Sequence, residues 1–488
     1  MSMVTSLLPT AARSLALRHT QLETKYCITS LFSNAVSFST NSSVEKASSS
    51  SSSSPPPLPP PSGPLAGYKV LDLGQVVAGN FASGLLAYFG ADVIKIEPPG
   101  RGDALRHLRD LDPTGTSLWW RSYGRNRRCI TVDLHQEQGR EIVKKLAQNV
   151  DVIVENFRPG VMEKWGLGPN DLPPHLIYTR ISGYGQTGPK APLPGYASVC
   201  EAYGGFRYVN GYADRAPVRP NISLGDSLAG LHAAFGAVMA LLQRDGPHSS
   251  SRNGAAVAKS AVGKGFGQVV DAAISESLFN MLEGCVSEYV ASGKKTIRPP
   301  SGSTITGVVP SGCWKAKDGT YVIIGGNGNS VYNRLMTAIG HPEMGLENPL
   351  YATDSKRVEN EAQIVEAIEK WVAANSSERV MAVLNEARVP AGPILSIKDI
   401  MEEEQYKARG MFESAPLFSS NMTGSNSSST SEMVESVTVP AMLPVLHGTP
   451  GGTRWAGPEL GEHTDVVLRE LLGMTEAEIE ELRTLGAI

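Results

Sequence analysis

Hydrophobic and polar positions divide the chain into a polar leader, a long stretch of alternating short apolar runs and amphipathic segments, and a helical tail. KVLDL (69–73), behind a Gly/Pro-rich lead, reads as a buried strand. Residues 78–89 read as a helix and ADVIKIE (91–97) as the next strand. CITVDL (129–134), DVIVEN (151–156) and LIYTRISG (176–183) continue the strand series, with an amphipathic helix over 137–148. Short apolar strands separated by helices imply βαβ units and a mostly parallel sheet, so the fold class is α/β. This large α/β domain is assigned residues 65–290. A strand at 319–325 and helices at 330–339, 364–374 and 378–387 suggest a smaller α+β domain over 301–407. The tail is helical over 462–472 and 476–485, with Thr475 as N-cap, and 408–488 reads as a return to the large domain. Two Ser-rich stretches, 247–265 and 419–431, look like loop insertions, where added length costs little.

Composition changes this picture at the N-terminus. Residues 1–46 hold Arg13, Arg18, Lys25 and Lys46 against only Glu23 and Glu45, and are rich in Ser. That is the pattern of an organellar transit peptide, mitochondrial in the first reading, with a chloroplast address as the alternative. Residues 47–64 carry Ser48–Ser54 and a proline tract; such a segment buries too little apolar surface to offset its ordering entropy and reads as a linker. The remaining composition mainly excludes. The net charge of −4 over 488 residues argues against nucleic-acid binding. The five cysteines (Cys27, Cys129, Cys200, Cys285, Cys313) include no C-x-x-C pair, so neither a disulfide framework nor a zinc ribbon is expected. No run of 18 apolar residues is found, and the longest candidate, 228–242, is interrupted by His232, so no membrane association is expected.

Familiar catalytic motifs are missing. There is no G-x-S-x-G, no H-E-x-x-H and no P-loop, and no metal site is expected. The first strand runs into GQVVAGNF where a dinucleotide site would have G-x-G-x-x-G. GGNGN (325–329) lies between a strand and a helix; it suits an anion or a tight turn needing positive φ. ISLGDSLAGLHAAFGAVMALL (222–242) stands out. Leu228, Leu231, Phe235, Val238 and Leu242 form one apolar face of a helix, and Asp226 precedes that face. Asp226 reads either as an N-cap or as a carboxylate held ionised by the helix start and available as a nucleophile.

Eight ordered motifs carry a resemblance to a known family: VLDLGQVVAGNF, GADVIKIEPPGRGD, GRNRRCITVDL, DVIVENFRPGVMEKWGLG, ISGYGQTGP, GQVVDAAISES, VPAGPILSIKDI and GEHTDVVLRELLG. From about residue 64 to the end, the chain resembles the class III coenzyme A transferases, the CaiB/BaiF-like group that also includes the α-methylacyl-CoA racemases. The resemblance implies a Rossmann-like large domain, an interlocked homodimer, and no permanently bound cofactor, with a CoA thioester as substrate. It implies that Asp226 is the nucleophile. CoA would move from an acyl-CoA, succinyl-CoA foremost, to a small carboxylic acid such as the dicarboxylate glutarate, through an aspartyl mixed anhydride and an aspartyl-CoA thioester. For CoA contacts it points to Gln75, Val76, Ala78, Arg127, Asn156, Phe157, Lys164 and Tyr196. Arg125 and Arg128 join Arg127 as phosphate partners, or the three form a solvated strand approach. Tyr196 reads otherwise as a core aromatic. Arg180 or Arg207 would hold a distal carboxylate. The alternatives are a racemase, which needs a His where this chain has Tyr196, and a family member that binds without catalysing.

Overall fold

The computed structural model describes residues 62–246, 265–417 and 436–488, plus two short strands at Ser251–Arg252 and Ala255–Ala256. The leader, nearly all of the Ser/Pro linker, most of both insertions and Cys27 lie outside the described residues.

Six strands form the main sheet: β1 (Lys69–Asp72), β2 (Asp92–Glu97), β3 (Arg127–Thr131), β4 (Val152–Glu155), β5 (Ile177–Ser182) and β6 (Val269–Ala273). Their spatial order is β3-β2-β1-β4-β5-β6 and every neighbouring pair is parallel. The helices that cover it are α1 (Ala78–Tyr88), α2 (Glu137–Ala147), α3 (Val161–Lys164), α4 (Ala197–Tyr203), α5 (Leu224–Asp245) and α6 (Ile274–Phe279). Alternate strand residues serve opposite faces. Val70, Val93 and Val152 pack against α1 and α5, whereas Leu71, Ile94 and Ile153 pack against α2. Burial on both faces explains why these strands read as continuous apolar runs.

The same pattern misplaced two strands. β3 begins at Arg127, two residues before the apolar run, because buried ion pairs let Arg127 and Arg128 sit inside the sheet. The apolar pattern gives no strand at β6, because it is an edge strand, holds Asp271, and leaves Val269 exposed.

Residues 311–393 have a core of their own. β7 (Ser311–Lys315), β8 (Tyr321–Gly325) and β9 (Ala391–Pro393) form an antiparallel sheet in the order β9-β8-β7. Val322 and Ile324 pack under α7 (Asn329–Ala338), α8 (Glu361–Ala374) and α9 (Ser377–Glu386). The GGNGN glycines adopt no positive φ here. Gly326 is instead closely packed: a Cβ there would lie 2.4 Å from Leu335 Cδ2, so that side chain would have to shift. At the C-terminus, β10 (Phe412–Pro416) pairs with β11 (Ser436–Pro440). The chain then returns to the large sheet through α10 (Thr464–Leu472) and α11 (Glu476–Thr484). His463 N–H bonds Cys129 O at 2.9 Å, and Val467, Leu468 and Ile479 join the core on the α2 side. Thr475 caps α11 in a reciprocal capping box with Glu478.

α5 buries the face opposite most of its large apolar stripe. Its buried residues are small: Ala229, Gly230, Ala233, Ala237 and Ala240 fill the core. The large apolar residues Leu231, Phe235, Val238 and Leu242 are exposed, Leu242 at 69%. The small residues allow close approach: a Cβ on Gly230 would lie 2.7 Å from Ala78 O. By length and composition alone the helix could cross a membrane, contrary to the sequence reading. Its buried small-residue face is nevertheless that of a core helix.

Candidate active site

β1 and β4 are neighbours at the point where strand order reverses, and open α/β sheets bind ligands outside the carboxyl ends of their strands at such a point. Here the loop from β1 to α1 meets the end of β4. Gln75 N–H donates to Asn156 Oδ1 (2.7 Å), and Asn156 Nδ2 donates back to Gln75 O (2.8 Å). Beside this clasp lies a cleft of about 110 Å³, lined by Leu73, Gln75, Arg101, His135, Phe157 and Trp165 among others. Trp165 meets Phe157 edge-on with ring centroids 5.2 Å apart, and His135 at 5.6 Å, giving the cleft an aromatic wall. Arg101, Arg158 and Lys164 are exposed cations on neighbouring loops and on α3.

The structure therefore brings Gln75, Asn156 and Phe157 together at one cleft. Val76 follows Gln75 with φ +62°. Ala78 opens α1 but is buried against Gly230, one turn beyond Asp226. Tyr196 is 79% exposed as the N-cap of α4, so it is not a core aromatic.

The arginine expectations are corrected. Arg127 is fully buried; its guanidinium donates to Asp72 Oδ2 (3.0 Å) and Asn80 Oδ1 (2.5 Å), and also to the Asn80 carbonyl. Arg125 is buried on Ser122 and Pro440 carbonyls, and Arg128 pairs with Asp92 and Glu470. The cluster is neither a phosphate site nor a solvated strand approach; its charges are spent holding β3 and the C-terminal return. Arg180 is likewise engaged, by Glu155 (2.7 Å) and Glu163 (2.6 Å). Arg207 is not fully engaged. Nη2 is 3.1 Å from Ser198 Oγ and 3.3 Å from Glu201 Oε2, while Nε is buried without a partner.

Asp226 occupies the third position of α5, and Ser223 is the N-cap, so the capping reading of Asp226 is corrected. No hydrogen bond or ion pair to a described residue holds its carboxylate. Nor does its setting favour the ionised form. Burial first, then the Glu201 carboxylate, push Asp226 up to about 6, with Arg219 opposing. Glu201 is completely buried, and Gly225 N–H lies 3.4 Å from its Oε1. Burial, and next to it the same two acids, push Cys200 up to about 11, so it remains a thiol. Gly183 and Gly195 bring the chain close together beside Cys200; a Cβ on Gly183 would lie 2.8 Å from Gly195 Cα.

Sequence reasoning missed Glu201, Arg101 and Trp165. Arg101 and Trp165 sit in motifs quoted for the resemblance, whereas Glu201 lies between two of them and nothing local shows that it faces a carboxylate 25 residues later. Among the described residues no cluster of His, Cys, Asp and Glu is arranged to hold a metal.

Residues 65–464 match the model of "CoA-transferase family III". Succinyl-CoA–D-citramalate CoA-transferase of Chloroflexus aurantiacus is 37% identical, over 87% of this chain and 98% of the relative. Succinyl-CoA:glutarate CoA-transferase of Mus musculus is 32% identical, over 87% and 90% respectively. The crystal structure of a CAIB/BAIF family protein from Brucella suis superposes with a TM-score of 0.67 at 28% identity, covering 84% of this chain and all of that one.

Proposed function

Because the chain belongs to CoA-transferase family III and is an enzyme of that class, we propose that it moves CoA from succinyl-CoA to a second dicarboxylic acid, with Asp226 as nucleophile. One observation carries the assignment: among the described residues Asp226 is an acid without a hydrogen-bond or ion-pair partner, half-buried at the start of α5 and close to a second carboxylate. In the proposed cycle an Asp226 oxygen attacks the thioester carbonyl, the C–S bond breaks, and CoA thiolate leaves a mixed anhydride. The thiolate attacks the Asp226 acyl carbon, releasing succinate and giving an aspartyl-CoA thioester. The acceptor carboxylate repeats the first step on that thioester. Thiolate then takes the acceptor's acyl carbon and frees Asp226. Each exchange preserves the acyl activation without ATP.

Several features support this reading. The aromatic wall suits a flat ring, and Arg101, Arg158 and Lys164 suit the phosphates of CoA. Arg207, with an unused buried Nε near Glu201, suits a distal carboxylate. The relatives named for succinyl-CoA with citramalate or glutarate favour dicarboxylic acceptors. The exposed apolar face of α5 favours a second copy of the chain, hence a homodimer, and the basic, Ser-rich leader favours a mitochondrial address.

The test pairs succinyl-CoA with a panel of dicarboxylic acids, then repeats the incubation with hydroxylamine. Transfer to at least one dicarboxylate is expected, with Asp226 trapped as its hydroxamate. Asp226→Ala should fold normally and lose at least 10³-fold in kcat, an order-of-magnitude expectation for a lost nucleophile. Turnover by that variant near the wild-type rate would remove Asp226 from the mechanism.

A further inference from the structure

The loop between the cleft and α1 carries an uncommon backbone. Val76 has φ +62°, a left-handed conformation that a β-branched side chain disfavours. Such a residue persists only where its surroundings over-determine it. Here the surroundings converge on one carboxylate. Val76 N–H donates to both oxygens of Asp103, at 2.9 and 3.2 Å. Asn80 Nδ2 donates to Asp103 Oδ2 (2.7 Å) and to Val76 O (2.8 Å), so both peptide groups of Val76 are tied. Lys95 Nζ lies 3.3 Å from Asp103 Oδ2 and also donates to the carbonyl of Gly74. Asp103, Asn80 and Lys95 are all completely buried.

Asp103 also holds its own loop. Its carboxylate accepts from Leu105 N–H (2.9 Å), and its N–H donates to Glu97 Oε1 (2.9 Å). This is the turn that carries Arg101 to the cleft. Burial opposes the charge on Asp103, but Lys95 and the N–H donors outweigh it and hold the carboxyl below its usual range.

We propose that Asp103 is a positioning residue for the CoA cleft: its carboxylate, balanced by Lys95, holds Val76 left-handed and so sets the two loops that bound the cleft, one carrying Gln75 and the other Arg101. Asp103 does not line the cleft itself and acts through the backbone. The proposal rests on the CoA reading of the cleft.

The experiment titrates free CoA into the full-length protein by calorimetry. Asp103→Asn weakens the Val76 contact, and Asp103→Glu keeps a charge beside Lys95 while displacing its oxygens. Each is expected to weaken CoA by about ten-fold, the scale of one left-handed residue released. Adding Val76→Gly should restore affinity to within about three-fold, because glycine takes positive φ without a clamp. A residue that only stabilised the fold would not be rescued in this way. Undiminished affinity in the single variants, or no recovery in the doubles, overturns the proposal. So does failure of both single variants to fold, which would make Asp103 a residue of the fold alone. Absence of CoA binding by the wild-type protein would instead overturn the CoA reading.

Discussion

Burial and Glu201 raise Asp226 from 3.8 to about 6. The sign of that shift makes it a cost to the fold. Between pH 4 and 6 the native state binds more protons at this site than the unfolded chain does, so stability falls as pH rises through that window. The full penalty is present above pH 6. Two pKa units correspond to about 3 kcal/mol, and partial exposure reduces this to roughly 1–2 kcal/mol. Asp226→Asn should therefore be more stable than wild type by that amount at pH 7.5, with the gap closing near pH 4. Thermal unfolding at the two pH values checks this; an equal gap at both would remove the electrostatic explanation. The LGDS segment and the family resemblance mark Asp226, but local pattern alone also allows a cap, a position that Ser223 occupies without a side-chain cap hydrogen bond. The arginines were less legible. A sequence shows that Arg125, Arg127, Arg128 and Arg180 are cations, not that distant residues such as Asp72, Glu163 and Glu470 already engage them.

At the scale of elements, the strands of the main sheet were readable wherever both faces are apolar, and obscured where a buried ion pair or an edge position broke the run. Helix α5 shows a different limit. Periodicity correctly identifies a helix with a stripe of large apolar residues, but not which side faces the core. Small residues decide that here, because Gly230 and the alanines let α1 and α5 approach closely. The displaced stripe is the basis for a dimer reading. Phe235→Asp with Leu242→Glu should leave the buried face untouched and shift the protein from dimer to monomer in light scattering. A wild-type monomer, or a variant that remains dimeric, would detach the stripe from self-association.

For the whole molecule, alternating runs were enough to read a parallel α/β sheet, while the order β3-β2-β1-β4-β5-β6 required coordinates. Order matters because it fixes where the carboxyl ends of β1 and β4 part, and hence where the cleft opens. The leader is a prediction at this scale. Residues 1–46 fused to a fluorescent reporter should direct it to mitochondria and be lost on import; delivery to chloroplasts would favour the other address, and a reporter left in the cytosol would dismiss both.

Gly74 and Gly79 meet across the turn from β1 to α1, the same turn that the Asp103 clamp on Val76 holds. A Cβ on Gly79 would lie 2.6 Å from Gly74 Cα, and the first turn of α1 is buried. In dinucleotide-binding sheets that turn is the cradle for a pyrophosphate. Here Gly74 and Gly79 meet backbone to backbone across that turn, and Arg101, Arg158 and Lys164 are exposed on neighbouring loops and on α3. Rim charges attract quickly but grip loosely and weaken in salt. For the CoA binding proposed above, such charges would suit a ligand that enters and leaves with each turnover.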